Sequence, residues 1–316
     1  PADGGERAAA LPAGHAVLAE NGGRTWLLWD GKRSPIDLAD RAVTSGLGIG
    51  VDIAAPQPIA TGLFNAIPEA PPLVVPVIPG AGLPSTVPLP EPVPVGAVVV
   101  AYDADNTVRH YVVLADGLQP ISPVVAAILR NSNSWGLAQP PRLDADDVAR
   151  VPEAGAVDTD AYPTDRVTLV DVAADPVTCA AWAEPEGAQA PSLTLLSGAT
   201  LPVPDGLRTV ELVSSGGDGG PANRVALEPG AGYFVDSGGS LFWVSDTGVR
   251  YGVETGTDAG TDADTVAALG LSTIPLPIPT SVLSQFAAGP TLSRTDALLA
   301  HDTLAPNPAP ARLEQP

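Results

Sequence analysis

The sequence predicts an α+β, β-rich chain, an elongated array of small α/β repeat modules around a central antiparallel β core. Three observations lead there. A strand, an Asp-Gly or Asp-Thr-Gly turn and a second strand recur at three places, each followed by short apolar helices. The 36 Pro and 33 Gly among 316 residues interrupt regular elements, because Pro removes a backbone donor and Gly weakens helix and strand interiors. Residues 158–232 alternate apolar and polar side chains between turn clusters, as a sheet with one solvated face does. Apolar types make up 45% of the chain, enough for a sizeable core and two or three domains.

In chain order, residues 1–13 read as a disordered start, "PADGGERAAALPA", with no initiator Met and no basic and apolar leader, so a longer natural protein upstream is expected. Residues 14–72 form the first module. Its hairpin is "RTWLLWDGKRSPI" from Arg24, where Asp-Gly supplies the tight turn, and its first helix spans Ile36 to Val43. A second helix lies in "PIATGLFNAIPEAP", with Leu63, Phe64 and Ile67 on one face. Residues 73–94 are crowded with Pro and read as an extended linker of polyproline character, able to hold two modules apart or to wrap round one.

The second module, residues 95–157, carries "RHYVVLADGLQPI" and a helix over Pro123 to Leu129, with Ser122 as N-cap and Pro123 as first helical residue. Its second helix lies in "RLDADDVARVPEAG". Residues 158–232, with "DRVTLVDV", "RTVELVSS" and "NRVALEPGAGYFV", are the expected β core. The third module, 233–295, carries "SLFWVSDTGVRYGV", a helix over Ala263 to Leu269 with Asp262 and Asp264 at its positive end, and "PIPTSVLSQFAAGP". That last segment aligns without gaps on the one from Pro58. Thr61, Asp144 and Thr280 are the N-cap candidates of the second helices. Residues 296–316 read as a disordered Pro-rich tail.

The formal charge of -21 repels phosphate backbones and anionic lipid, which argues against nucleic-acid binding. No apolar run approaches the roughly 20 residues a bilayer-crossing helix needs, so no crossing is expected within these residues. No "GxSxG" elbow surrounds any Ser, and His15, His110 and His301 are read as structural. Gly-rich loops such as "SSGGDGG" lack the Lys of a phosphate cradle, so no nucleotide cofactor is expected. The run "GTDAGTDADT" lacks the spacing of a calcium loop and reads as a solvated loop entering a helix, so no metal is expected. Trp26, Trp29 and Trp243 sit on first hairpin strands. There they pack the core or, in the sharper reading, form exposed stacking platforms for sugars or partners. The single Cys179 cannot form an internal disulfide.

The segments "HYVVLADGLQPISPVVAAIL", "LFNAIPEAPPL", "IPGAG", "PVTCAAW" and "GVRYGVETGTDAGTDADTVAALGLSTIPLPIPTSVLSQFAAGP" occur together, followed by "LLAHDTLAP". In this order they resemble EccB, the membrane-anchored core component of actinobacterial type VII secretion systems, from about Leu11 to Pro306. The resemblance implies a periplasmic region of small modules similar to the wall-binding modules of phage lysins. It implies attachment to the inner membrane through a helix outside this sequence, a further repeat upstream, and a cysteine near that repeat as partner of Cys179. The implied partners are other Ecc proteins, further copies of itself and the mycosin protease. The expectation is thus a non-enzymatic scaffold that helps assemble the secretion core. The alternatives are a peptidoglycan anchor working through Trp26, Trp29 or Trp243, and a periplasmic ATP hydrolase, for which no P-loop or catalytic constellation is visible.

Overall fold

The structure is a computed structural model that describes residues 6–103, 105–185, 190–212, 222–254, 261–271 and 274–294. The side chains of 261–264 are not included. The chain divides into two compact units, residues 1–202 and 203–316, each described here by itself.

The first unit opens with β1 (Ala9–Ala10). Its first module comprises β2 (His15–Asn21), β3 (Arg24–Trp29), β4 (Lys32–Pro35), α1 (Arg41–Leu47), β5 (Gln57–Pro58) and α2 (Thr61–Ala66). The second repeats the plan with β6 (Val98–Tyr102), β7 (Val108–Val113), β8 (Leu118–Ile121), α3 (Pro123–Ser132), β9 (Arg142–Leu143) and α4 (Ala145–Arg150). There follow β10 (Thr168–Leu169), β11 (Val177–Ala183) and β12 (Ser192–Gly198). The second unit holds β13 (Thr209–Glu211), β14 (Arg224–Ala226), β15 (Gly232–Ser237), β16 (Ser240–Ser245), β17 (Val249–Gly252), α5 (Thr261–Ala268), β18 (Leu276–Pro277), α6 (Thr280–Leu283) and β19 (Ala287–Ala288).

Three sheets share one topology. A three-stranded antiparallel meander takes a short parallel strand on its first edge: β5 on β2, β9 on β6, β18 on β15. Each also takes a parallel pairing on its third strand after the second helix: Arg33 with Glu69, Leu118 with Glu153, and β17 with β19. All three turn-centred hairpins read from the sequence are present. The strands before the first two hairpins are not read from the sequence, and the third lies in "NRVALEPGAGYFV"; β2, β6 and β15 complete the meanders.

The first hairpin shows why Asp-Gly stands there. Asp30 and Gly31 have φ of 45° and 69°, the paired positive torsions of a type I′ turn. Gly31 also faces the Leu193 carbonyl oxygen, which lies 2.3 Å from where a Cβ would be. Ser122 caps α3 as expected, its Oγ accepting from the Val125 amide 3.2 Å away, with Pro123 at the first turn. Asp144 is the N-cap of α4. Thr61 and Thr280 are not caps but first helical residues; Ala60 and Pro279 hold the cap positions. The fixed φ of Pro279 suits that extended position without a side-chain bond.

The first two modules share one core. Successive residues of β2 and β3 point to opposite faces, and both faces are covered: Ala16, Leu18, Leu27 and Trp29 on one side, Val17, Ala19, Trp26 and Leu28 on the other. Toward the first side, α1 and α3 pack together with Val43, Leu47, Val125 and Ile128 buried between the sheets. A Cβ on Gly46 would lie 2.5 Å from Ile128 Cγ1 and 3.0 Å from its amide nitrogen, so the helices meet where α1 has no side chain.

Residues 73–94 do not separate the modules; they turn at Pro79–Gly82 and fold back on themselves through an antiparallel bridge between Pro84 and Pro94. Leu73 and Ile78 join the shared core, and Val93 enters the core of the second sheet. Leu73 donates its amide to the Pro35 carbonyl and Thr86 Oγ1 donates to the Ala115 carbonyl at 2.8 Å, so the segment is stitched to both modules. The Trp135 ring lies over Gly82 and Gly96, 3.0 and 3.3 Å from where their Cβ atoms would be.

Residues 158–232 do not form one sheet. β10 adds to β2, β11 and β12 pair with β1, and β13 with β14 make a separate two-stranded sheet. The end of "NRVALEPGAGYFV" is the first strand of the third meander. Alternation tells which residues share a face but not which strand lies alongside; β10–β12 find their partners within the first unit and β13–β15 within the second. In the second unit, Val235, Val244 and Leu283 are buried together, with Tyr233, Phe242, Ile278 and Phe286 packed around them. The tail, "SGGDGG" and Asp258 lie outside the described residues, as do the side chains of Asp262 and Asp264.

Candidate functional site

Trp26 and Trp29 are 5% and 6% exposed, so neither offers a ring face to a sugar or a partner. The stacking-platform reading is corrected for both: two buried sheet faces leave no solvated side for an aromatic on β3. Trp29 donates Nε1–H to Ser34 Oγ at 3.1 Å, and the Lys32 ammonium sits 3.9 Å from its ring centroid. Trp26 packs edge-on against Phe64 with centroids 4.8 Å apart. The Arg33 guanidinium lies 3.9 Å from the Phe64 centroid and 5.6 Å from that of Trp26. It also donates to the Phe64 and Ile67 carbonyls, which close α2, and to Glu69 at 3.0 Å. Such charge-assisted bonds tie the end of α2 to β4; the Phe64 carbonyl also accepts from the Ile67 amide.

The third module repeats part of this device. Arg250, at the position of Arg33, donates to the Phe286 carbonyl at 3.3 Å, and Phe286 aligns with Ile67. Sequence reasoning passed over this arginine. The signal was a repeated Gly-x-Arg, Gly31 to Arg33 and Gly248 to Arg250, directly after each turn. The second module has buried Leu118 there instead.

Trp243 differs from the other two tryptophans in being only half-buried. Its ring lies across Gly232, where a Cβ would be 1.9 Å from Cζ2, and its strand neighbours are Phe234 and Tyr251. Cys179, on β11 opposite Leu196, is half-buried, and burial pushes its thiol pKa up. A raised pKa leaves little thiolate at neutral pH.

No catalytic convergence is present among the described residues. His15 stands at the start of β2 with Nδ1 3.4 Å from the Ala13 carbonyl. His110 lies on β7 in the other module, where burial lowers its pKa. His301 is outside the described residues. No group of three His, Cys, Asp or Glu side chains is placed to hold a metal there. No described helix is long and apolar enough to cross a membrane.

Three copies of one meander-and-helix module, with side chains assigned mainly to packing, define a β-rich modular protein. Comparison with known proteins gives the particular family. Residues 1–306 match the family model described as "Type VII secretion system ESX-1, transport TM domain B", and the chain belongs to this EccB family. A relative from Mycolicibacterium smegmatis, named ESX-3 secretion system ATPase EccB3, is 62% identical over 98% of this chain and 61% of its own length. One of the same name from Mycobacterium tuberculosis is 60% identical over 98% and 60%. The chain therefore spans about three fifths of the curated relatives it matches. Among solved structures, an EccB3 dimer from the ESX-3 core complex is 62% identical with a TM-score of 0.82, over 95% of this chain and 76% of that one. The periplasmic assembly of the ESX-5 inner membrane complex is 35% identical with a TM-score of 0.80, over 98% and 73%.

Proposed function

We propose that this chain is a structural component of a type VII secretion core complex, acting in the cell envelope on the periplasmic side of the inner membrane. The observation that carries the reading is the same module built three times with different amounts of its surface buried, in a chain 62% identical to a structure solved as a dimer from a core complex. One chain that must touch several neighbours needs one stable framework and several different surfaces, not one polar cluster. Its partners are then a second copy of itself, other Ecc proteins and the mycosin protease. In this reading Cys179 pairs with a cysteine upstream of these residues, in an oxidising compartment.

Relatives carry the word ATPase in their names. We infer a non-catalytic role for these residues, since the chain has no P-loop sequence and its net charge of -21 opposes nucleotide phosphates. The test joins the chain to its upstream membrane segment in an actinobacterial host and runs solubilised membranes on a native gel. Comigration with the other Ecc proteins is expected, together with background ATP turnover by the purified protein with and without Mg²⁺. A free monomer, or turnover abolished by a point substitution in this chain, would overturn the scaffold reading.

A further inference from the structure

In a chain with 36 acidic and 15 basic residues, cations seldom meet. Yet one cleft of the first unit, of about 690 Å³, is lined by His110, Arg130 and Arg166. Its volume falls in the range of small-molecule sites, roughly 300–1,000 Å³. The wall between them is apolar: Pro123, Ala126 and Ala127 of α3 line it, Ala126 itself buried in the core, and Pro140 adds to it.

The Arg130 guanidinium is held by hydrogen bonds and Arg166 is steadied along its stem, and both keep free donors. Arg130 is anchored by Nη2, which donates to the Ala138 carbonyl at 3.0 Å and toward Leu137 at 3.5 Å. Arg166 is held by its stem: its Cβ, Cγ and Cδ lie 3.1–3.5 Å from where a Cβ of Gly48 would stand, at the C-terminal cap of α1. Its guanidinium has no hydrogen-bond or ion-pair partner among the described residues, although Asp165 lines the same cleft. An arginine carries five N–H donors, so most of the ten remain available here. Planar forks with spare donors suit an oxyanion, and the apolar wall suits the body that carries it.

We propose that this cleft binds a small oxyanion ligand, a phosphate or carboxylate on a compact apolar group, with Arg130 and Arg166 as the anion contacts and Pro123, Ala126, Ala127 and Pro140 as the seat of the apolar part. Nothing in the scaffold role requires such a ligand. One bound between α3 and the 165–166 segment would tie the first module's helix cap to the second module's helix.

Calorimetric titration of the purified 316-residue chain tests this with phenyl phosphate, benzoate and neutral benzyl alcohol. Binding of at least one anion with no heat from the alcohol is expected, and the tighter anion identifies the headgroup. Arg166→Gln, an exposed position that leaves the core untouched, should weaken that binding at least tenfold, since it removes a charge-assisted contact. Equal binding of the alcohol, no binding of either anion at millimolar concentration, or binding unchanged in Arg166→Gln would each overturn the proposal.

Discussion

The first and third modules share a strand order but not an environment. In β3, Trp26, Leu27, Leu28 and Trp29 are all buried; in the equivalent β16, Leu241, Phe242 and Trp243 are half-buried and only Val244 is buried. The helices differ likewise. α1 closes with Gly48 donating to Ser45 and Ile49 to Thr44, and α5 closes the same way with Gly270 donating to Ala267 and Leu271 to Val266. That register sets Ala268 at the position of Gly46. Gly46 is buried against Ile128, whereas Ala268 is exposed within its unit. One module has spent its apolar faces on its neighbours; the other keeps part of them open. The same fold thus serves as foundation in one place and as surface in another.

The largest effect expected from breaking this contrast comes at the helix contact of the first unit. Ile128→Ala should cost about 2–5 kcal/mol, because a fully buried aliphatic is lost between two packed helices. Chemical denaturation would measure it. Gly46→Leu should destabilise by 1–3 kcal/mol or more, since the added atoms meet Ile128 backbone, while Ala268→Leu should stay within about 0.5 kcal/mol. Equal effects at the two positions would erase the distinction between the modules.

Next comes the arginine that each of these modules places behind its turn. Arg33→Ala should cost about 2–3 kcal/mol, through three acceptors and two ring faces left without it; Arg250→Ala, with one side-chain bond among the described residues, about 1 kcal/mol or less. Thermal shifts of the two variants would rank them.

Smaller still is a pH effect in the second module. Burial holds His110 below its ordinary 6.5, so the folded chain prefers the neutral ring. Its stabilising contribution is present above about pH 6.5 and is lost as pH falls through the lower folded value. His110→Gln should flatten that acid limb of the stability curve. The smallest effect concerns Cys179: with its thiol pKa pushed up by burial, alkylation near neutral pH should be slower than for an exposed cysteine and should quicken under denaturant.

The hairpins were legible because Asp-Gly turns are local chemistry, and the first of them uses the positive φ it was expected to use. The strands before them left a weaker trace: Asn21-Gly22-Gly23 and Ser237-Gly238-Gly239 are also turn signals, and both glycine pairs have positive φ. The partners of 158–232 left none: β10 pairs with β2 and β12 with β1, strands far upstream in the sequence, and alternation does not name a partner. Nor did Pro-rich 73–94 reveal its anchoring. Leu73, Ile78 and Val93 look like spacers between prolines until the two cores that receive them are known. Trp26 and Trp29 could be placed on a strand and read as either core or platform; the sequence did not decide between the two, because their burial depends on α1, α2 and β12, elements distant in sequence.

The central claim is that the third module is the open surface and the first two are the foundation. Hydrogen–deuterium exchange, measured on the free chain and on the chain within the assembled membrane complex, tests it directly. Slower exchange on assembly is expected at β15–β17, with β2, β3 and α3 already protected and unchanged. Protection gained at β2, β3 and α3 instead, with β15–β17 exchanging as before, would contradict the account.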